Sequence, residues 1–293
     1  MHYLLFSLVC LLWGSNFLLM KKAALSFGPV GVGAWRVVGG AAALVLLSLL
    51  IGQRWRLRPR HAAPLAVVVT LGYAWPFVMQ PTLIHAHGSA LMGMMVCLVP
   101  LSTILVSIPI LRQWPTAWQL LGVLGGLVFM GVLFRDKLEA RVPIGDLLLA
   151  ASVPIGYSIS NTIIKRHLSD VPAIELTGLS LLLAGMVLTP VTLATETVQP
   201  NEHFAFAVIT LVWLGVVSTG LATTMMYHLV QVRGPLFAGM VTYVIPLQAQ
   251  AWGWFDGERI SDVQMIALLG VLAMVAVVQY GTPRGKVPLM VEP

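Results

Sequence analysis

Charge is the scarcest ingredient of this chain. Only 10% of the 293 residues are Asp, Glu, Lys or Arg, against 58% apolar residues and a mean hydropathy of +0.89. A soluble globule carries about a quarter charged residues, so that class is excluded. Cysteine is almost absent. Cys10 and Cys97 each lie inside an apolar run, which excludes a disulfide framework and leaves both as small core residues, with the redox compartment undetermined. Alternating segments of about ten residues, the mark of a membrane barrel, are missing, and the spans are expected to be helices. Enzyme signatures are missing too: there is no H-E-x-x-H, G-x-S-x-G or phosphate-binding loop, and no convergent set of nucleophile, base or metal ligands. The chain is read as a non-enzyme without cofactor or metal. His85 and His87 stand two apart with no further ligands at suitable spacing, and read as a solvated turn.

What remains is apolar sequence cut into runs. Ten spans are expected, at about 3–20, 29–51, 63–84, 89–111, 117–134, 144–164, 173–195, 204–231, 235–255 and 262–280. The gaps are too short for an extramembrane domain, so function must lie within the helix bundle and the lipid bilayer is its medium. The net charge of +6 sits in those gaps, where the positive-inside rule accounts for it without nucleic acid. The first run opens at Tyr3 with no basic segment before it, and Lys21 and Lys22 follow it. That is the wrong order for a cleaved secretory signal, and the run is expected to stay as the first helix.

One stretch occurs twice. Residues 87–101 read HGSALMGMMVCLVPL and residues 233–247 read RGPLFAGMVTYVIPL, at a constant offset of 146. Gly88, Gly93, Met94, Pro100 and Leu101 match Gly234, Gly239, Met240, Pro246 and Leu247. Ser15-Asn16 and Ser160-Asn161 recur in spans one and six, Leu71-Gly72 and Leu214-Gly215 in spans three and eight, and L-G-V-L at 121–124 and 269–272 in spans five and ten. The chain therefore divides into two five-helix halves, 1–139 and 140–293. Five is odd, so the second half must enter the bilayer upside down, giving an inverted repeat. Basic residues agree: with the N-terminus inside, Arg54, Arg56, Arg58, Arg60 and Arg112 fall inside against Lys21 and Lys22, and Lys165, Arg166, Arg233, Arg284 and Lys286 fall inside against Arg259. Arg135, Lys137 and Arg141 vote the other way. Both termini are expected to be cytoplasmic.

Each of Pro100 and Pro246 removes a backbone donor near the middle of its span, freeing the Val96 and Thr242 carbonyls and bending the helix. Freed carbonyls at that depth are tolerated only against protein or water. Two such kinks in a duplicated chain favour a central cavity. Polar groups inside the spans are its candidate contacts. Asn16 and Asn161 suit a zwitterion's carboxylate or amine, or simply hydrogen-bond neighbouring helices. Trp75, Met79, Gln80, Met95, Tyr157, His228 and Tyr243 join apolar bodies to polar tips, as an amphiphile's path requires, although such residues also pack helices. Arg36, a third of the way into span two, has no close sequence partner and reads as a structural anchor rather than an anion site. The small-residue pair Gly122 and Gly126, half repeated by Gly270 and Met274, suggests that spans five and ten are scaffolding. Asp146 and Asp262 open their spans at the outer ends, which leaves Glu175, about three residues into span seven and too shallow to carry protons at the midplane.

Leu12-Trp13-Gly14-Ser15-Asn16-Phe17 with Lys21 in span one, and Arg36 after Pro29 in span two, resemble the opening of the EamA-type repeat of the drug/metabolite transporter superfamily. The resemblance covers nearly the whole chain and is greatest to the aromatic amino acid exporter group. It departs in the second half, where span six lacks the Trp-Gly pair and Leu179 stands near the position equivalent to Arg36. The family implies a carrier of the bacterial inner membrane exporting amino acids or similar amphiphilic small molecules by alternating access, with spans four and nine bordering the path and one, three, six and eight completing its wall. A sugar-nucleotide or phosphate exchanger and a multidrug exporter are the alternatives within the superfamily; outside it stand an intramembrane enzyme or a receptor. Without a glutamate in the first span, the expected mode is facilitation, and a monomer is compatible with everything read so far.

Overall fold

The computed structural model describes residues 1–53, 55, 57–133, 142–255 and 262–281. Among these the chain is helical, with no strand. Seven helical stretches are long and apolar enough to cross a membrane, and three shorter apolar helices, Ala117–Leu133, Pro235–Gln248 and Met265–Gly281, lie where spans five, nine and ten were expected. The fold is that of a polytopic all-α membrane protein.

Several stretches are interrupted. Span one is α1 (His2–Gly14) and α2 (Asn16–Ala23), broken at Ser15; span two is α3 (Pro29–Leu50). Span three joins α4 (Ala62–Val69) through a π-helical turn, Thr70–Ala74, to α5 (Trp75–His87). Span four is α6 (Ser89–Val96) and α7 (Val99–Leu111), and α8 is Ala117–Leu133. In the second half come α9 (Ile144–His167), α10 (Ala173–Thr195), and α11 (Phe204–Val212) joined by π-helical turns at Trp213–Leu221 to α12 (Ala222–Arg233). Last come α13 (Pro235–Gly239), α14 (Val241–Phe255) and α15 (Asp262–Gly281). The breaks do not fall where proline alone would put them. Span four breaks at Cys97-Leu98, with Pro100 opening the next helix, where its missing donor is harmless. Span nine breaks at Met240, six residues before Pro246, which stays inside α14. Breaks and π turns are sites where a helix gives up internal hydrogen bonds, and they concentrate at mid-span.

Packing is inside-out relative to a soluble protein. Leu46, Leu49, Leu124, Val128 and Ile209 are exposed, whereas Thr103, Ser158, Thr162, Thr177 and Ser218 are fully buried. Lipid solvates the former and interhelical hydrogen bonds serve several of the latter: the Thr103 hydroxyl donates to Ser158 Oγ at 3.1 Å, and Ser158 Oγ donates to the Val99 carbonyl at 3.1 Å. Spans five and ten pack on each other. A Cβ added to Gly122 would stand 2.8 Å from the Met274 carbonyl, and one on Gly270 would stand 2.5 Å from the Phe129 ring. Tyr243 closes this contact, fully buried, its hydroxyl donating to the Val123 carbonyl at 2.9 Å.

The two ends of the bundle differ in charge. One end gathers the N-terminus, Arg58, Arg60, Arg112, Lys165, Arg166 and Arg233, tied by Arg60 to Asp170 at 2.5 Å, by Arg166 to the Ile110 carbonyl, and by Lys165 to the Gln231 carbonyl at 2.5 Å. Glu175, buried in the first turn of α10, lines a pocket there with Arg58, His61 and Asp170. Burial would push the Asp170 carboxyl up, but hydrogen bonds from Arg60 and its own backbone, with the charges of His61 and Arg60, hold it below the usual carboxylate range. The opposite end carries Lys22 with Asp146, Glu196 and Glu202. There Glu196 caps α3, accepting from the Val30 and Gly31 amides at 2.9 and 2.6 Å. His87 meets Asp146 at 2.7 Å rather than standing solvated. The residues Arg54, Arg56, Arg135, Lys137, Arg141, Arg259, Arg284 and Lys286 lie outside the described residues.

Candidate functional site

A cavity of about 110 Å³ lies among spans one, two, three, four, six, eight and nine, with nothing contributed by the described residues of five, seven or ten. Span one supplies Trp13, Asn16 and Met20. The Trp13 indole donates to the Ser218 carbonyl at 2.9 Å, an acceptor inside the second π-helical segment, and the Ser218 hydroxyl donates to Asn16 Oδ1 at 2.6 Å. The Trp-Gly-Ser-Asn sequence thus docks span one on span eight. Gln80 of span three donates through Nε2 to the Tyr157 hydroxyl of span six at 2.9 Å, and Asn161 stands one turn further along α9.

Glycine sets the distance between these spans where a side chain would not fit. A Cβ on Gly156 would stand 2.8 Å from the Leu71 carbonyl, and one on Gly40 would stand 2.9 Å from the Gly215 carbonyl. Such backbone contact carries α3 close enough to the π turns for Arg36 to reach the cavity. Val96 and Thr242 are on the wall as well, one at each helix break. The Thr242 carbonyl, which Pro246 leaves without its helical donor, is approached by the Cys97 thiol at 3.8 Å.

Of the residues chosen from sequence, the structure brings Asn16, Gln80, Tyr157 and Asn161 together on one wall. It places the others elsewhere. Trp75 donates to Ser152 Oγ at 2.7 Å, Met79 and Met95 pack in an apolar cluster, and Tyr243 belongs to the contact with span five. His228 lies at the basic end, its ring 6.3 Å from that of His2. The sequence reading missed Trp13, Tyr73, Phe77, Ser218, Thr219 and Tyr227. A signal existed for the last two: Thr219, Thr223 and Tyr227 recur every four residues and make a polar stripe along span eight.

Electrostatically the wall is unbalanced. Among the described residues it bears one charged group, Arg36, and no Asp, Glu, His or Lys. Aromatic faces make up much of the rest; Tyr73 and Tyr227 meet edge to face with ring centroids 6.2 Å apart. Such a lining, apolar with a few convergent polar groups, suits a small amphiphilic solute.

The EamA-like transporter family matches this chain twice, over residues 1–135 and over residues 144–280. The chain belongs to the EamA-like transporter family. It is similar to the uncharacterized transporter YoaV of Bacillus subtilis (strain 168), 19% identical over 270 residues that make up 90% of each chain. A crystal structure described only as that of a protein superposes with a TM-score of 0.79 at 19% identity, covering 96% of this chain and 97% of the other, a likeness of fold. Membership makes the protein a membrane transporter, and the cavity, lined by residues of both halves, is the candidate place for its solute.

Proposed function

We propose that this EamA-family transporter exports amino acids or similar amphiphilic metabolites across a bacterial inner membrane by alternating access, as a facilitator. One observation carries the reading: polar side chains from both halves of the chain, Asn16 and Gln80 with Tyr157 and Asn161, converge on an aromatic-walled chamber at the breaks of spans four and nine. Support for an inverted duplication comes from the two separate family matches and from the π turns. At the offset of 146, Thr70–Ala74 corresponds to 216–220, inside Trp213–Leu221. Support for alternation comes from polar links between the halves at both ends, Arg60–Asp170 at one, His87–Asp146 and Glu196 on α3 at the other, which can release in turn. The six described basic residues gathered at the end that holds the N-terminus support cytoplasmic termini. A wall without carboxylate or histidine among the described residues supports facilitation over proton exchange, and a single cation on it tells against a sugar-nucleotide or phosphate exchanger.

The test is counterflow. Liposomes containing purified protein and preloaded with unlabelled phenylalanine or leucine should take up the labelled amino acid with no pH gradient. An imposed pH gradient should not concentrate it. Absence of counterflow for every amino acid and amphiphilic acid tried would overturn the substrate reading, and uphill accumulation driven by the pH gradient alone would overturn facilitation.

A further inference from the structure

Arg36 sits eight residues into α3, about 10 Å along the helix from its start. It is only 6% exposed. A guanidinium has five N–H donors, and a cation at this depth is expected to meet a carboxylate or several carbonyls. Neither is present among the described residues. One Nη donates to the Met20 thioether sulfur at 2.9 Å, a weak acceptor; the other donates to Thr219 Oγ1 at 3.3 Å; Nε has no acceptor. The Phe77 ring lies 4.9 Å from the guanidinium carbon. The group therefore faces the chamber with most of its hydrogen-bonding capacity unused and, among the described residues, no anion to answer its charge beyond the Phe77 ring face. A structural anchor, the reading favoured by sequence, would hold a carboxylate or carbonyls; this one holds a thioether sulfur and, at 3.3 Å, a hydroxyl.

We infer that Arg36 is the substrate-anchoring residue of the chamber, binding the carboxylate of a solute with one negative head group and an apolar body laid against Phe77, Trp13 and Tyr157. The planar fork of arginine matches a carboxylate through two parallel hydrogen bonds, and the low surrounding polarity strengthens the pair. One cation neutralises one anion. A phosphate dianion would bring a second charge that no described wall residue meets, whereas the amine of a zwitterion finds oxygen acceptors at Asn16, Asn161 and Thr242. The inference rests on the chamber being the transport path.

The experiment separates the two claims. In proteoliposomes showing phenylalanine counterflow, phenylpropanoate, which keeps the carboxylate and lacks the amine, should compete at least tenfold better than phenethylamine, which keeps the amine and lacks the carboxylate. Arg36→Gln and Arg36→Met should insert normally, melt no lower than the unmutated protein because an unpaired buried charge has been removed, and lose at least tenfold in transport. Arg36→Lys should retain part of it. Counterflow with equal competition by the two analogues, or with both neutral variants as active as the unmutated protein, overturns the role of Arg36 and leaves the transporter reading standing. A marked fall in melting temperature in both neutral variants shows an anchor and also overturns it. If no counterflow of any amino acid is found, the export reading fails, and the anion site is read instead from thermal stabilisation of the unmutated protein. Phenylpropanoate should then stabilise and phenethylamine should not; equal effects overturn the inference.

Discussion

Replacing Gly40 by alanine tests the closest backbone approach behind the chamber. A Cβ there would stand 2.9 Å from the Gly215 carbonyl oxygen, 3.0 Å from Leu181 Cδ1 and 3.3 Å from the Gly220 nitrogen. Two of the three are backbone atoms of the π-helical segment and cannot swing aside. To reach ordinary contact near 3.4 Å, α3 must retreat by about 0.5 Å. Overpacking of this kind costs about 1–3 kcal/mol, of which the better helix propensity of alanine returns up to about 1 kcal/mol. The net loss of up to about 2 kcal/mol corresponds to an apparent melting temperature lower by up to about 8 °C. The retreat also carries Arg36, four residues earlier, away from Thr219, where a 3.3 Å hydrogen bond has no room to lengthen. Transport should therefore fall more than the stability loss alone requires. Fluorescence-monitored melting in detergent and counterflow in liposomes measure the two effects. Gly131→Ala is the control, since a Cβ at that position on α8 meets nothing within 4 Å, and it should melt at or slightly above the unmutated temperature. A Gly40→Ala protein indistinguishable from this control in both assays would refute the packing of α3 on span eight and the placement of Arg36 that depends on it.

Cysteines introduced at Gln199 and Arg58 should react with impermeant reagents from opposite sides of the membrane, the native Cys10 and Cys97 being buried; labelling of both from one side would contradict the two-ended arrangement. Pro100→Ala and Pro246→Ala should each reduce transport with insertion retained. For Pro246 the new amide would compete for the Thr242 carbonyl at the chamber wall, and unchanged counterflow in both variants would make the prolines incidental. Asp170 has a carboxyl held below its ordinary value, so its contribution is present at neutral pH and is lost as pH falls through the folded-state value. Asp170→Asn should therefore melt slightly below the unmutated protein at pH 7, with the two curves converging below about pH 4. A difference that persisted at low pH would show that the Arg60–Asp170 contact is not its source.

Membrane residence, helical class, the recurrence at 146 residues and the location of polar groups at span depth were all legible in one dimension, because each depends on hydropathy, length or spacing along the chain. The same holds for Asn16, Gln80, Tyr157 and Asn161, whose polarity inside apolar runs marks them wherever they point. Outside span eight, where Thr219, Thr223 and Tyr227 mark one face, which face of a span looks inward was not legible. In the other spans apolar residues cover every face, so no stripe distinguishes wall from exterior, and Tyr243 reads like Tyr157 until its hydroxyl is seen on the Val123 carbonyl. Only the tertiary structure brings Trp13 to Ser218, 205 residues away, and only it sets the breaks at Ser15 and Met240, where interhelical hydrogen bonds and backbone contact compete with the helix's own ladder. Arg36 shows the division most clearly. Its charge within an apolar run was plain from sequence, but whether that charge is answered by the protein depends on groups from spans one, three and eight, and their arrangement decides it.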